Sequence, residues 1–261
     1  MRNLSRMFVL AFSLCGIMAC QPKSYTLVQY NVGAFKKYNG SSVDAIASAM
    51  KELEADVVSF NEVDSCTTRT GRVDQMAAFA AEMGGWNHAY GASMPYRGGA
   101  YGNGVASNPS LEIVRKDVIH LPKMDGREAR SVVVVEYKDF VYCSTHLDLT
   151  EASQLGQMEA LNHYMDSVYK DSTKPIFIGG DFNCEPESAP VKFMLQSWEL
   201  LTPVTFSFPS RKPVKCIDFI FVRPCGKKIS VKKTVIPESL KSVDLATASD
   251  HLPVALEVTI K

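Results

Sequence analysis

The chain of 261 residues contains no CxxC pair and no cysteine–histidine spacing of the kind that holds structural zinc. It has no low-complexity tract, no internal repeat and no long linker, which favours one domain over two. Lys and Arg never gather beyond short pairs such as Lys227-Lys228 and Lys232-Lys233. The 28 basic residues are balanced by 28 acidic ones, so the electrostatic footprint of a nucleic-acid binder is missing. That lowers the expectation of a nucleic-acid substrate without excluding one. What is present is apolar: 46% of the residues are hydrophobic, enough for a substantial core.

The N-terminus differs from the rest. Arg2 and Arg6 precede the apolar run Met7 to Leu14, which is too short to span a bilayer comfortably. Small residues and then the polar Gln21-Pro22-Lys23-Ser24 follow, as in an export signal. The stretch "GIMAC" resembles a bacterial lipobox, with Ile17 at a position where Leu is more usual. This predicts a signal peptide over 1–19, acylation of Cys20, a short linker over 20–24 and a folded domain over 25–261. The expected protein is exported and held at the bacterial cell envelope or surface. Cys66, Cys143, Cys184, Cys216 and Cys225 then remain, an odd number that suits small buried hydrophobes better than a dense disulfide framework.

Along the chain, periodicity predicts strands over 25–30, 56–60 and 101–106, and two around Lys138-Asp139. Further strands are expected at "KPIFIGG", "CIDFIFV" and "VALEVTI". Helical spacing appears over 42–54, 74–83 and 151–169, and over "APVKFMLQSW" behind Pro190. Helices and strands alternate early and strands pair later, which reads as an α/β protein with more than one sheet.

The polar outliers sit where strands stop. Asn31 follows "LVQY", Asn61 and Glu62 follow "VVSF", and His146 follows "VYCST". Asp181 and Asn183 follow "IFIGG", Asp218 lies inside "CIDFIFV", and Asp250 and His251 precede the last strand. Singly, a strand-end Asp is most often a turn residue. Together the set is rich in oxygen donors and poor in nitrogen, which suits a hard cation, Mg²⁺ or Mn²⁺. If the strand stays extended past Gly180, Asp181 and Asn183 share one face and Phe182 points into the core. A carboxylate there can orient water while a neutral amide donates to a phosphoryl oxygen.

These segments resemble the endonuclease/exonuclease/phosphatase superfamily of the deoxyribonuclease I-like fold. The matching pieces, in the family's order, are "YNVG", "NEVD", "GNGVAS", "STHLD", "GGDFNCEP", "IDFIF" and "SDHLPV". The resemblance implies two packed mixed β-sheets flanked by helices, a four-layer α-β-β-α sandwich, and Mg²⁺-dependent phosphoester hydrolysis. It implies Glu62 as the main metal ligand, with Asn31 nearby and Asp250 as a second. His251 becomes the general base or a contact to the scissile phosphate, with Asp218 fixing its tautomer. His146 would stabilise the phosphate or protonate the leaving group, and Asp181 and Asn183 would position water and phosphate. Asn61 stands where many members carry Gln.

"TTRTGRVDQ" looks like a loop of an often exported bacterial branch, which makes Arg69 and Arg72 candidates for phosphate contact. Asn103 is a candidate pocket residue. His88, His120 and His163 match no motif. The expected substrate is a phosphoester: a phospholipid headgroup, a sugar phosphate or nucleic acid. No protein partner is evident and a monomer is expected. The competing readings are a non-catalytic binding module on the same fold and an extracellular nuclease.

Overall fold

The computed structural model describes residues 22–36, 38 and 41–261. The leader and the candidate lipidation site Cys20 lie outside the described residues. Among those described, no helix is long and apolar enough to cross a membrane.

Two six-stranded sheets form the centre. The first contains β1 (Lys23–Asn31), β2 (Val57–Ser65), β3 (Asn87–Tyr96), β4 (Gly99–Ser107), β11 (Ile229–Val235) and β12 (Val254–Ile260), in the order β11-β12-β1-β2-β4-β3. The second contains β5 (Ile113–His120), β6 (Ser131–Tyr137), β7 (Val141–His146), β8 (Ile176–Asp181), β9 (Glu199–Leu200) and β10 (Asp218–Arg223), in the order β5-β6-β7-β8-β10-β9. β1 and β2 pair in parallel, as do β7 and β8, while the other pairs are antiparallel. Leu27, Val57, Val133, Phe177, Ile220 and Leu256 fill the space between the sheets.

On the outer face of the first sheet, α1 (Val43–Glu52) and α2 (Gln75–Glu82) bury Ile46, Met50, Met76 and Phe79 against Val28, Val58 and Phe60. On the outer face of the second, α3 (Glu151–Val168) and α4 (Ala189–Met194) bury Met158, Leu161, Met165 and Met194 against Val132, Val134 and Ile178. Both faces of the central strands are therefore covered. That is why they read as unbroken apolar runs rather than alternating ones. The expected four-layer sandwich is the architecture observed.

Four strands are not legible in the periodicity: β3, β5, β9 and β11. They are the four edges of the two sheets. α1 starts as expected, but the Ser42 side chain makes no capping bond; α2 is capped by Asp74, whose carboxylate accepts from Ala77 N at 3.1 Å.

The strands deliver the polar residues to one end. Asn31, His146 and Asp181 are the last residues of β1, β7 and β8, and Asp218 is the first of β10. His146 lies opposite Asp181, and Asp181 opposite Asp218, so three polar groups form one row across neighbouring strands. The glycines before Asp181 serve close approach. A Cβ on Gly179 would meet Ser59 Oγ at 2.3 Å, and one on Gly180 would meet the Thr145 carbonyl at 2.4 Å. Phe182 is fully buried against Phe219 and Phe221. Burial of that ring contributes about 2–3 kcal/mol to holding the strand end in place.

Candidate active site

Asp181 is the hub. Its Oδ2 accepts from Asn31 Nδ2 at 3.0 Å and lies 3.6 Å from Nε2 of both His146 and His251. Its Oδ1 accepts from Asn183 N at 3.0 Å. Burial pushes the Asp181 carboxyl up to about 7; His251 pulls against that shift and Asp218 adds to it. A carboxylate tuned near neutrality suits a base that takes a proton from water.

The two histidines are held in opposite ways. His251 Nδ1 bonds Asp218 Oδ2 at 2.8 Å, and Asp218 also accepts from Ser207 Oγ at 2.6 Å. With a carboxylate as partner, His251 Nδ1 carries a proton. Burial opposes charge on this ring, but Asp218, Asp181 and Asp250 outweigh it and push its pKa up to about 10. His146 Nδ1 instead faces Arg130 NH1 at 3.2 Å. A guanidinium only donates, so this Nδ1 is the acceptor and the proton of the neutral ring sits on Nε2. Burial, the Arg130 charge and His251 all push the His146 pKa well down. One ring is therefore cationic and the other a neutral N–H donor, both aimed at Asp181.

The first sheet supplies the other wall. At Glu62 the β2–β4 register shifts, and Glu62 takes φ +58°. This bulge turns the carboxylate into the site instead of along the strand. Asn31 Nδ2 also donates to Glu62 Oε1 at 3.2 Å, so one amide ties Glu62 to Asp181. Asn61 stitches the sheets together. Its Oδ1 accepts from Gln29 Nε2 at 2.6 Å and Asp181 N at 2.9 Å, and its Nδ2 donates to the Thr145 carbonyl at 2.7 Å.

Glu62, Asp181 and Asp250 line one cavity of about 820 Å³ together with His146 and His251. Three carboxylates around one cavity, with the Asn31 carboxamide bonded to two of them, are a set of oxygen donors, and that fits a divalent cation such as Mg²⁺. Asp181, Asp218 and His251 also place ligand atoms within 4.8 Å of one another. There, however, the Asp218 Oδ2 lone pairs are taken by His251 and Ser207, so this trio is a hydrogen-bonded relay and not a cation cage.

The sequence model of the Endonuclease/Exonuclease/phosphatase family matches residues 28–251. The chain belongs to this family. Endonucleases, exonucleases and phosphatases share phosphoester hydrolysis, and membership makes the chain a phosphoester hydrolase. Solved structures agree in fold. A mannosyl-6-phosphatase of Bacteroides thetaiotaomicron superposes with TM-score 0.73 at 17% identity, over 90% of this chain and 99% of that one. A family protein of Bacteroides vulgatus gives 0.73 at 18%, over 92% and 100%. The human Nocturnin catalytic domain, solved with a bound sulfate, gives 0.69 at 15%, over 91% and 95%. No curated protein matches the chain. At these identities the likeness speaks for the fold alone.

The family frame also sorts the outlying candidates. Asn183 lines the cavity, but β8 ends at Asp181 and Asn183 takes φ +51°, so the extended geometry expected past Gly180 is replaced by a turn closed on Asp181 Oδ1. One Asn183 amide hydrogen is donated to the Leu147 carbonyl at 3.0 Å. Asn103 is buried between strands, with Nδ2 on the Ser131 carbonyl and Oδ1 accepting from Asn61; it is not among the cavity residues. Its role is to brace the wall, in place of the expected pocket contact. Arg72 is exposed at φ +61° and also lies off the cavity, whereas Arg69 lines it. Arg130 and Tyr101, to which periodicity and motifs assign no role, line the same cavity, as does Asp148, the last residue of "STHLD". Asp148 Oδ1 accepts from Leu149 N and Thr150 N and so fixes the entry to α3.

Proposed function

We propose that this chain is an exported, divalent-metal-dependent phosphoesterase acting on small phosphoesters of sugar-phosphate size. The observation that carries the reading is the placement of Asp181 between two histidine Nε2 atoms whose rings are locked at Nδ1 by partners of opposite charge, Asp218 and Arg130. In this reading Asp181 accepts the proton of an attacking water. Cationic His251, oriented by Asp218, offsets charge on the phosphoryl oxygens. Neutral His146 donates an Nε2–H hydrogen bond to a phosphoryl oxygen, and the leaving oxygen, which P–O cleavage leaves in need of a proton, takes it from cationic His251. Mg²⁺ or Mn²⁺ held by Glu62, with Asn31 and Asp250, would supply further neutralisation of the phosphoryl charge.

The cavity of about 820 Å³ is within the usual range for small-molecule sites. The balanced charge of the chain gives no track for a long polyanion. The Bacteroides structural neighbour that is a mannosyl-6-phosphatase is consistent with a phosphomonoester.

The test is a hydrolysis panel of hexose phosphates, a generic diester, DNA and sphingomyelin, with Mg²⁺, Mn²⁺ or EDTA. Metal-dependent hydrolysis of a small monoester is expected, lost on chelation and reduced at least a hundredfold in Asp181→Ala and His251→Ala. Full activity in both variants would overturn the site assignment.

A further inference from the structure

The loop after β2 is built around a buried charge. Asp64 is 0% exposed. Its carboxylate accepts from Arg69 Nε at 2.7 Å and Arg69 NH2 at 2.8 Å, from Thr67 Oγ1 at 2.6 Å and from Thr70 Oγ1 at 3.3 Å. Around this pair the loop is tied down from outside. Lys36 Nζ donates to the Arg69 carbonyl at 2.6 Å, Thr68 N to the Arg97 carbonyl at 3.0 Å, and Asp64 N to Gln75 Oε1 at 2.7 Å. Burying an ion pair is seldom the most stabilising use of such a position. What this one secures is the exact plane of a guanidinium.

That guanidinium forms part of the cavity wall. Arg69 Cζ stands 4.7 Å from the Tyr96 ring centroid and 5.6 Å from that of Tyr101, and all three residues line the cavity with Met94. Tyr101 lines the cavity together with Glu62 and Arg130. Arg130 bonds His146 of the reacting end, whereas the Arg69 guanidinium stands against the Tyr96 and Tyr101 rings and bonds Asp64. Its two forked donors are spent on Asp64, so it is no clamp for the scissile phosphate. NH1 makes none of the hydrogen bonds to Asp64, and the side chain is 28% exposed.

We propose that Arg69 forms a leaving-group subsite that takes hydroxyl oxygens of a polyol, and that Asp64 is a positioning residue acting through it. Because Asp64 cancels the Arg69 charge, the edge offered is a directional donor and not an attraction for a second phosphate. Glu128 and Asp148 line the same cavity, can accept from hydroxyls, and would repel a second phosphate. The inference rests on the phosphoesterase reading above and names its substrate class.

The test compares a hexose 6-phosphate with phenyl phosphate, whose leaving group carries no hydroxyl. Arg69→Lys should lower the ratio of kcat/KM for the hexose ester over the phenyl ester about tenfold, mainly through KM. Asp64→Asn should do the same. Adding Asp64→Asn to Arg69→Ala should leave that ratio where Arg69→Ala puts it, because Asp64 acts only through Arg69. An unchanged ratio in Arg69→Lys, or additive losses in the double variant, would overturn the subsite. Calorimetric binding of hexose 6-phosphate separates the two readings. Arg69-dependent binding without turnover sinks the proposed hydrolysis of this ester and keeps the subsite; turnover with Arg69-independent affinity does the reverse.

Discussion

Arg130 shows how much depends on a single side chain at this site. It is 4% exposed and its NH1 is shared between Glu128 and His146, both at 3.2 Å. By donating to His146 Nδ1 it selects the Nε2–H tautomer, and its charge adds to the burial that keeps the ring neutral. Arg130→Ala should release both constraints. Long-range ¹H–¹⁵N spectra of the histidine rings should show His146 protonated at Nε2 in the wild type and a tautomer mixture in the variant, with kcat down about a hundredfold. A variant whose His146 signals match the wild type would remove Arg130 from this role. Arg130 is not legible in the sequence because it does not sit where a strand stops. It immediately precedes β6, which is antiparallel to β7, so it reaches the same end as His146 from a strand start.

At the scale of elements, legibility follows position in the sheet. The central strands were found because both faces are covered and their sequences are continuously apolar. The four edges lack that mark for different reasons: β5 and β11 face water and carry charge, as Arg115-Lys116 and Lys232-Lys233 do, β9 has two residues, and β3 is interrupted by Gly91 and Pro95. The bulge at Glu62 was equally invisible, since nothing in "NEVD" announces a register shift. Strand junctions also carry an electrostatic cost that can be measured. At the entry to β2, Asp56 Oδ2 accepts from Thr26 N at 2.8 Å. Burial raises the Asp56 pKa, the Thr26 N–H partly offsets that, and Glu54 adds to it. A carboxyl whose folded pKa lies above its unfolded value loses stability as pH rises through that interval and stays penalised above it. Asp56→Asn keeps the acceptor and removes the charge. It should raise the melting temperature at pH 7 and leave it unchanged at about pH 3, where the aspartate is already protonated. An equal shift at both pH values would assign the effect to something other than ionisation.

At the scale of the molecule, the topology bears on the proposed anchor. β1 begins at Lys23, opposite Ile260, and ends at Asn31 in the site. Nine strand residues span about 30 Å, and the few residues between Cys20 and Lys23 reach about 10 Å at most. A lipid on Cys20 would therefore hold the molecule by the end away from its cavity, which suits substrates arriving from the aqueous side. Cys20→Ser should move the protein from the membrane to the soluble fraction without changing turnover of a water-soluble ester. Membrane retention of the variant would count against acylation. Faster hydrolysis of phospholipid in the anchoring bilayer than by the released form would count against this orientation.

The sequence by itself determined the strand–helix order of the core, the apolar layers, and the identity of most polar groups at the strand ends, because burial and turn chemistry leave local marks. "PIFIGGDFN" already specified a buried strand with Phe182 as its anchor. Tertiary structure decided which partner each polar group meets. It gave Asp218 to one histidine and Arg130 to the other, spent the Arg69 fork on Asp64, and turned Asn183 out of the strand. Those outcomes depend on register between strands far apart in the chain, on sheets packed too closely for a side chain at Gly179, and on β7 and β8 lying too close for one at Gly180. Charge and tautomer are properties of such encounters, and a list of residues does not contain them.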